Sequence, residues 1–324
     1  MSLWRQLSAV DVEGPTVATI GNFDGVHRGH QVVLDRATQA AWRLGGPHRP
    51  PTEGRAAVVA VTFDPHPMRV LAPDRAPVAL TGLEHRAELL HGVGADHVLA
   101  MPFDRGVAGW SPEQFVRQVL VDTLHVGAVV VGADFRFGAR AAGTVDTLRT
   151  LGAASGFEVD AVELVAGVGD APWSSTVIRA AITHGDVRSA ARALGRDHSV
   201  RGVVVEGDKR GRGLGYPTAN VPASRLVAVP ADGVYAGTLR RLDQVGAPAL
   251  PAAVSVGTNP TFAGVDRRVE AYVLDRDDLE LYGVPVEVTF HAHLRGQTTY
   301  SDISALVRQM ARDVEDARTA LRHS

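Results

Sequence analysis

The stretch TIGNFDGVHRGH, residues 19–30, joins the apolar pair Val17 and Ala18 to the long run QVVLDRATQAAWRL. It packs three glycines and two histidines between them. In the run that follows, Val33, Ala37, Ala40, Ala41 and Leu44 recur at helical spacing, and Gly45 and Gly46 end the pattern. The local order is therefore strand, glycine turn, helix. The same rhythm continues outward through AAVVAVTFD (56–64), DHVLAMPF (96–103), GAVVVGADF (127–135) and FEVDAVEL (157–164), with a helical stretch, SPEQFVRQVLVDTL, at 111–124. Nearly continuous apolar strands alternating with helices predict a parallel sheet covered on both faces. Several runs end in polar or glycine-rich text, where ligands bind in open parallel sheets.

The rhythm changes after residue 186. RGVVVEG (201–207), GVYAGTLRRL (233–242), PAAVSVGTN (251–259), RRVEAYVLD (267–275) and VPVEVTFHAHLRG (284–296) follow one another with turns between them. This predicts an antiparallel sandwich or small barrel. A closing helix over 301–322 places Ile303, Leu306, Val307, Met310, Val314, Ala317 and Leu321 on one face, with Ser301 as its N-cap. DVRSAARALGRDHSV (186–200) reads as a short linking helix, and GGPHRPPTEGR (45–55) as an exposed loop. The chain of 324 residues thus divides into 1–186 and 187–324.

Composition narrows the classes. A net charge of −3 offers no polybasic field for nucleic acid. The absence of cysteine removes disulfides, thiolate metal sites and thiol catalysis. MSLWRQLSAVDVEG lacks a basic flank before a long apolar run, and no stretch approaches the roughly 20 apolar residues of a membrane helix. A soluble, cytoplasmic protein is expected; the oligomeric state is open.

His27 and His30 lie three apart at a helix start, on one face. Unpaired N–H groups and the dipole favour an anion there. Gly21, Gly25 and Gly29 leave room for a phosphate to approach the backbone. The pattern is neither G-x-G-x-x-G nor the P-loop, and the zinc-protease spacing is absent. Read alone, the glycines fit a tight turn and the histidines a surface equally well. SSTVIR (174–179) has Ser and Thr at a helix start with Arg179 one turn inside, which is either a cap or a phosphate-binding corner. DPHP (64–67) is at least a rigid turn.

GNFDGVHRGH resembles the HxGH signature of the nucleotidylyltransferase superfamily, in the form found in bacterial FAD synthetases. DPHP, GADFRFG (132–138) and SSTVIR follow in that family's order. The resemblance implies a Rossmann-like α/β domain. His27 and His30 would contact ATP phosphates and steady charge on the α-phosphate. Gly21, Asn22, Phe23, Asp24, Gly25 and Gly29 would form the nucleotide cradle, with Asn22 and Asp24 ordering the site and its magnesium. Ser174, Ser175, Thr176 and Arg179 would hold pyrophosphate. Asp64, His66, Asp134 and Phe135 would line the flavin side, although ARAAGT (139–144) departs from the family pattern.

In VVVEGDKRGRGLGYPTANV (203–221), glycines at 207, 211, 213 and 215 surround Lys209 and two arginines. Pro217 argues against the helix that follows a P-loop, so read alone this is a basic hairpin loop. GDKRGRGLGYPTAN closely resembles the riboflavin kinase signature, whose fold is a six-stranded antiparallel barrel. By that resemblance Gly207, Lys209 and Gly213 would face phosphate, Thr218 and Asn220 would hold Mg²⁺, and Glu270 would be the general base. Together the two resemblances imply ATP-dependent conversion of riboflavin to FMN and of FMN to FAD. The rival readings are a riboflavin kinase with a silent N-terminal domain and a non-catalytic flavin-binding regulator.

Overall fold

The computed structural model describes residues 1–45, 54–163, 173–207, 214–222, 227–261, 264–300 and 302–322. The chain folds into two compact units: Met1–Pro77 with Thr81–Ser174, and Val78–Leu80 with Ser175–Ser324.

The first unit runs β1 (Ser2–Trp4), β2 (Thr16–Ile20), α1 (Arg28–Leu44), β3 (Ala57–Asp64), α2 (Pro67–Leu71), α3 (Leu83–Gly92), β4 (His97–Pro102), α4 (Arg105–Ala108), α5 (Pro112–Phe115), β5 (Val126–Gly132), α6 (Val145–Ser155) and β6 (Glu158–Val162). Its six strands are ordered β1-β4-β3-β2-β5-β6, every pair parallel. Strand side chains alternate between faces, and both faces are buried. Val17 packs with Leu34, Ala37 and Ala41 of α1. Ala18 and Ile20 pack on the other face with Leu120, Leu124 and Leu148. This explains the apolar runs without alternation. β3 and β4 lie to one side of β2 and β5 and β6 to the other. In open parallel sheets ligands bind at such a switch point, here the carboxyl ends of β2 and β5. The loop expected at 45–55 falls largely outside the described residues.

The second unit runs α7 (Ser175–Thr183), α8 (Val187–Leu194), β7 (His198–Val203), β8 (Ala219–Pro222), β9 (Gly233–Arg241), β10 (Leu250–Thr261), β11 (Gly264–Val273), β12 (Pro285–Gly296) and α9 (Ile303–Arg322). Its six strands are ordered β7-β12-β9-β10-β11-β8 and pair antiparallel. A further bridge, Val205 to Asn220, brings the two edge strands together, so the barrel is nearly closed. Tyr235, Val254, Val269, Val288 and Phe290 fill it. α9 covers β9, β10 and β12. Its cap is Asp302, whose Oδ1 accepts the Ala305 N–H at 2.8 Å; Ser301 lies outside the described residues. Ile303, expected on the buried face, is exposed. Among the described residues no helix is long and apolar enough to cross a membrane.

Candidate functional site

After β2 the turn Gly21–Val26 leads to His27, which caps α1. His27 Nδ1 accepts the His30 N–H at 3.4 Å, so the neutral His27 ring carries its proton on Nε2. The two rings stack with centroids 3.6 Å apart and planes 18° from parallel. The Phe23 ring meets His30 edge-on at 5.2 Å. A Cβ on Gly29 would come within 3.1 Å of His27 Cε1 and 3.5 Å of the Trp173 carbonyl oxygen. Glycine there lets the ring and the approach to Ser174 lie close over the first turn.

His30 is half-buried, and its Nδ1 is covered with no partner among the described residues. Burial pushes its pKa well below the usual histidine value, and His27 and the Arg86 guanidinium push it further down. A neutral ring with a covered, orphaned nitrogen is rare in a folded protein and marks this turn as a place where more than packing is at work. The shift also has a consequence for stability. The unfolded chain takes up a proton at His30 near pH 6.5 and the folded chain does not, so stability falls as pH drops below about 6.5, by up to about 1.4 kcal/mol per pH unit from this group. Urea unfolding from pH 7.5 to 5 is expected to show a shallower acid loss in His30→Gln than in the wild type.

Asp24 is buried and its Oδ1 accepts the Thr81 N–H at 3.2 Å. The Asn22 side chain is exposed, while its carbonyl accepts from Thr62 Oγ1 at 3.0 Å and Arg86 at 3.1 Å. Asp64 ends β3, and His66 caps α2 by accepting the Met68 N–H at 3.1 Å. Asp134 is exposed just past β5, and Phe135 stacks on Phe137 at 5.5 Å. Since β3, β2 and β5 are adjacent and parallel, Asp64, the 21–30 turn and Asp134–Phe135 share one end of the sheet. Ser174 closes the first unit. Ser175 opens α7, Thr176 is exposed, and Arg179 Nε donates to the Val78 carbonyl at 2.7 Å, all within the second unit.

Sequence reading missed Arg86. It is 5% exposed and sits on the apolar stripe of α3 with Leu83, Ala87 and Leu90. A charge on that stripe was the available signal.

In the second unit, β11 alternates. Val269, Ala271 and Val273 face the core, and Arg268, Glu270 and Tyr272 face the other way. Two cavities lie along this second row. One, of about 280 Å³, is lined by Tyr216, Tyr272 and Tyr300 and by Leu306, Met310 and Val314 of α9. The other, of about 420 Å³, is lined by polar groups including Asp232, Arg268, Gln297 and Thr298. Glu270 lines both. In register it sits opposite Asn220 of β8 and Ser255 of β10. Thr218 lines the first cavity, and its carbonyl accepts from Asn220 Nδ2 at 3.3 Å. Tyr216 and Tyr272 meet edge to face at 5.2 Å. Arg295 and Asp313 form a two-pronged ion pair, at 2.7 and 2.6 Å, in the wall beneath α9. The tyrosines and this pair were not foreseen, because they come from separate elements. Lys209 and Gly213 lie outside the described residues.

Gly207 is fixed by space. A Cβ there would lie 2.4 Å from Asn220 Nδ2 and 2.7 Å from its Oδ1. Gly207→Ala is expected to displace Asn220 and slow the phosphorylation that the sequence resemblance implies here by roughly 10²-fold, with the first site unaffected. Steady-state assays of each step check this.

Among the described residues no three His, Cys, Asp or Glu side chains cluster as a metal cage. Magnesium carried with a nucleotide needs less: one or two hard oxygens beside the phosphates. The Thr218 hydroxyl and the buried Asn220 amide carry hard oxygens of the kind such an ion takes.

The chain thus carries two candidate sites: one at a histidine-capped helix start above a parallel sheet, the other at a carboxylate between an apolar and a polar cavity. Residues 10–177 match the family described as FAD synthetase, and residues 194–321 match riboflavin kinase. The bifunctional riboflavin kinase/FMN adenylyltransferase of Escherichia coli (strain K12) is 36% identical over 97% of this chain and 95% of its own. That of Pseudomonas fluorescens is 37% identical over 93% of this chain and 92% of its own. A crystal structure from Streptococcus pneumoniae described as a macrolide-efflux protein is 28% identical, covers 98% of both chains and superposes with a TM-score of 0.83. The chain belongs to the bifunctional riboflavin kinase/FMN adenylyltransferase family.

Proposed function

We propose that this chain makes FAD from riboflavin in two ATP-dependent steps, with the functional boundary at 186/187, which assigns SSTVIR (174–179) to the first module. The observation that carries the reading is the position of Glu270, shared by an apolar and a polar cavity. The apolar cavity suits the isoalloxazine ring and the polar one the nucleotide. The terminal ribityl hydroxyl attacks the γ-phosphorus, Glu270 takes the proton, and ADP leaves. Thr218 and Asn220 would hold Mg²⁺, which neutralises charge on the phosphates when bound. Gly207 would face the phosphates, as would Lys209 and Gly213, which lie outside the described residues.

In the other module an oxygen of the FMN phosphate attacks the α-phosphorus of ATP and pyrophosphate leaves. That nucleophile is already ionised, so no base or covalent intermediate is required. The work is alignment and charge stabilisation. The stacked His27 and His30 and the N-terminus of α1 would take the α-phosphate oxygens. Gly21, Asn22, Phe23, Asp24, Gly25 and Gly29 shape that cradle. Ser174, Ser175, Thr176 and Arg179 would take pyrophosphate, and Asp64, His66, Asp134 and Phe135 the flavin. Both steps consume ATP, which supports our placing the protein in the cytoplasm. A silent N-terminal domain is disfavoured by the intact histidine pair, and a non-catalytic regulator by the intact Glu270, Thr218 and Asn220.

The test is to incubate the pure protein with riboflavin, ATP and Mg²⁺ and to resolve flavins over time. FMN that rises and then gives way to FAD is expected. FMN alone would exclude the first module, and no conversion would exclude both.

A further inference from the structure

The β2–α1 turn has a shape that its own residues disfavour. Phe23 and Val26 sit at φ of 48° and 41°, a region that bulky and β-branched residues seldom occupy. Both are buried. Backbone of this kind persists where its surroundings over-determine it, and it clusters at functional sites.

The surroundings lead to a single side chain. Arg86 donates from one terminal nitrogen to the Asn22 carbonyl at 3.1 Å and Thr62 Oγ1 at 3.2 Å, and from the other to the Thr81 carbonyl at 3.4 Å. Thr62 Oγ1 donates to the same Asn22 carbonyl at 3.0 Å. Thr81 holds the rest of the turn: its Oγ1 accepts the Gly25 N–H at 3.3 Å and its N–H donates to Asp24 at 3.2 Å. Asn22, Asp24 and Gly25 are therefore anchored by Arg86 directly or through Thr81. The guanidinium is buried, and its Nε has no partner among the described residues. Burying an arginine is costly, and a neutral side chain would serve a purely structural core better. The titratable groups facing it are the carboxylates of Asp24 in the turn and Asp64 at the end of β3, and the neutral ring of His30 on α1.

We infer that Arg86 is a positioning residue of the adenylyl-transfer site, fixing the turn that presents His27 and His30 and keeping a buried positive charge beside them. This rests on the reading of that site proposed above. The cation biases the site toward phosphate, and the fork sets the path of the chain into the helix cap. Neither contact reaches the kinase chemistry of the second unit.

The test compares Arg86→Met and Arg86→Lys with the wild type, using FMN and ATP for adenylylation and riboflavin and ATP for phosphorylation. In Arg86→Met, kcat for FAD formation is expected to fall roughly 10²-fold, with KM for FMN and ATP within about threefold. Arg86→Lys keeps the cation but loses the fork, and is expected to lose between about threefold and tenfold in kcat. FMN formation stays at the wild-type rate in both. A kcat for Arg86→Met within about threefold of wild type overturns the inference. So does an equal loss in the two variants, or a rise in KM alone, since either points to folding or plain substrate binding. Should Arg86→Met fail to fold, Arg86→Lys decides: a wild-type kcat overturns the inference. A wild-type chain that makes no FAD from FMN and ATP removes the reading of the site, and the role of Arg86 falls with it.

Discussion

His30→Ala slows FAD formation by about 10²–10³-fold and leaves FMN formation at its wild-type rate: this is the expected result, and the structure gives the reasons for both halves. The cap of α1 survives the substitution, because the group that bonds His27 Nδ1 is the backbone N–H of residue 30. What goes is a ring stacked on His27 at 3.6 Å, held neutral by burial and by two neighbouring cations or would-be cations. In the transition state, charge builds on the oxygens of the α-phosphate. Loss of one preorganised donor to such an oxygen costs about 10²–10³ in rate. His30→Gln, which can still donate a hydrogen bond, is expected to retain more activity than His30→Ala. With riboflavin as substrate, FMN should accumulate in the variant, since β11 and its cavities belong to the other unit. FAD made at the wild-type rate would remove His30 from the site. Loss of both activities in a folded protein would break the assignment of separate sites.

Much of this arrangement was legible because the chemistry sits on contiguous text. The strand, turn and helix around residues 16–44 are written locally, and a parallel sheet then fixes which strand ends meet. Contacts assembled from distant segments were not legible. β1 is three residues long and has no period to read. β8 is four residues long and follows Pro217, so PTAN reads as a turn until pairing with β11 makes it a strand. Arg86 shows in the sequence only as a charge on the apolar stripe of α3, and its anchoring role becomes visible once Asn22, Thr62 and Thr81 close around it. SPEQFVRQVLVDTL reads as one helix, but α5 gives way to a π-helical turn at Val116–Val121, where local propensity has no say in the hydrogen-bond register. The cap of α9 differs by a single residue from the expected one, because Asp302 and Ser301 are both good caps and the sequence does not rank them.

Glu270→Gln is expected to do the reverse of His30→Ala, stopping FMN formation while supplied FMN is still converted to FAD. Strand periodicity sets Arg268, Glu270 and Tyr272 in a row on one face of β11, with about 7 Å between successive members. Arg268 lines the polar cavity, Tyr272 the apolar one, and Glu270 lies between and lines both. A flavin in the apolar cavity and ATP in the polar one would meet at this carboxylate, the point where the ribityl hydroxyl must lose its proton. Glutamine has nearly the same volume and polarity, and the pairing of Glu270 with Asn220 and Ser255 is through the backbone ladder. The substitution therefore leaves the strand pairing in place and removes the carboxylate's charge and its capacity to accept a proton. General-base loss of this kind costs roughly 10²–10⁴ in kcat. Binding should persist, so KM for riboflavin is expected to stay near the wild-type value while kcat falls. Such a split separates a base from a group that holds the flavin, which would raise KM instead. If raising the pH, which ionises more of the hydroxyl, restored part of the lost rate, that would mark the missing function as proton removal. An unchanged kcat would move the base elsewhere, and Asp232, on the wall of the polar cavity, would be the next carboxylate to replace.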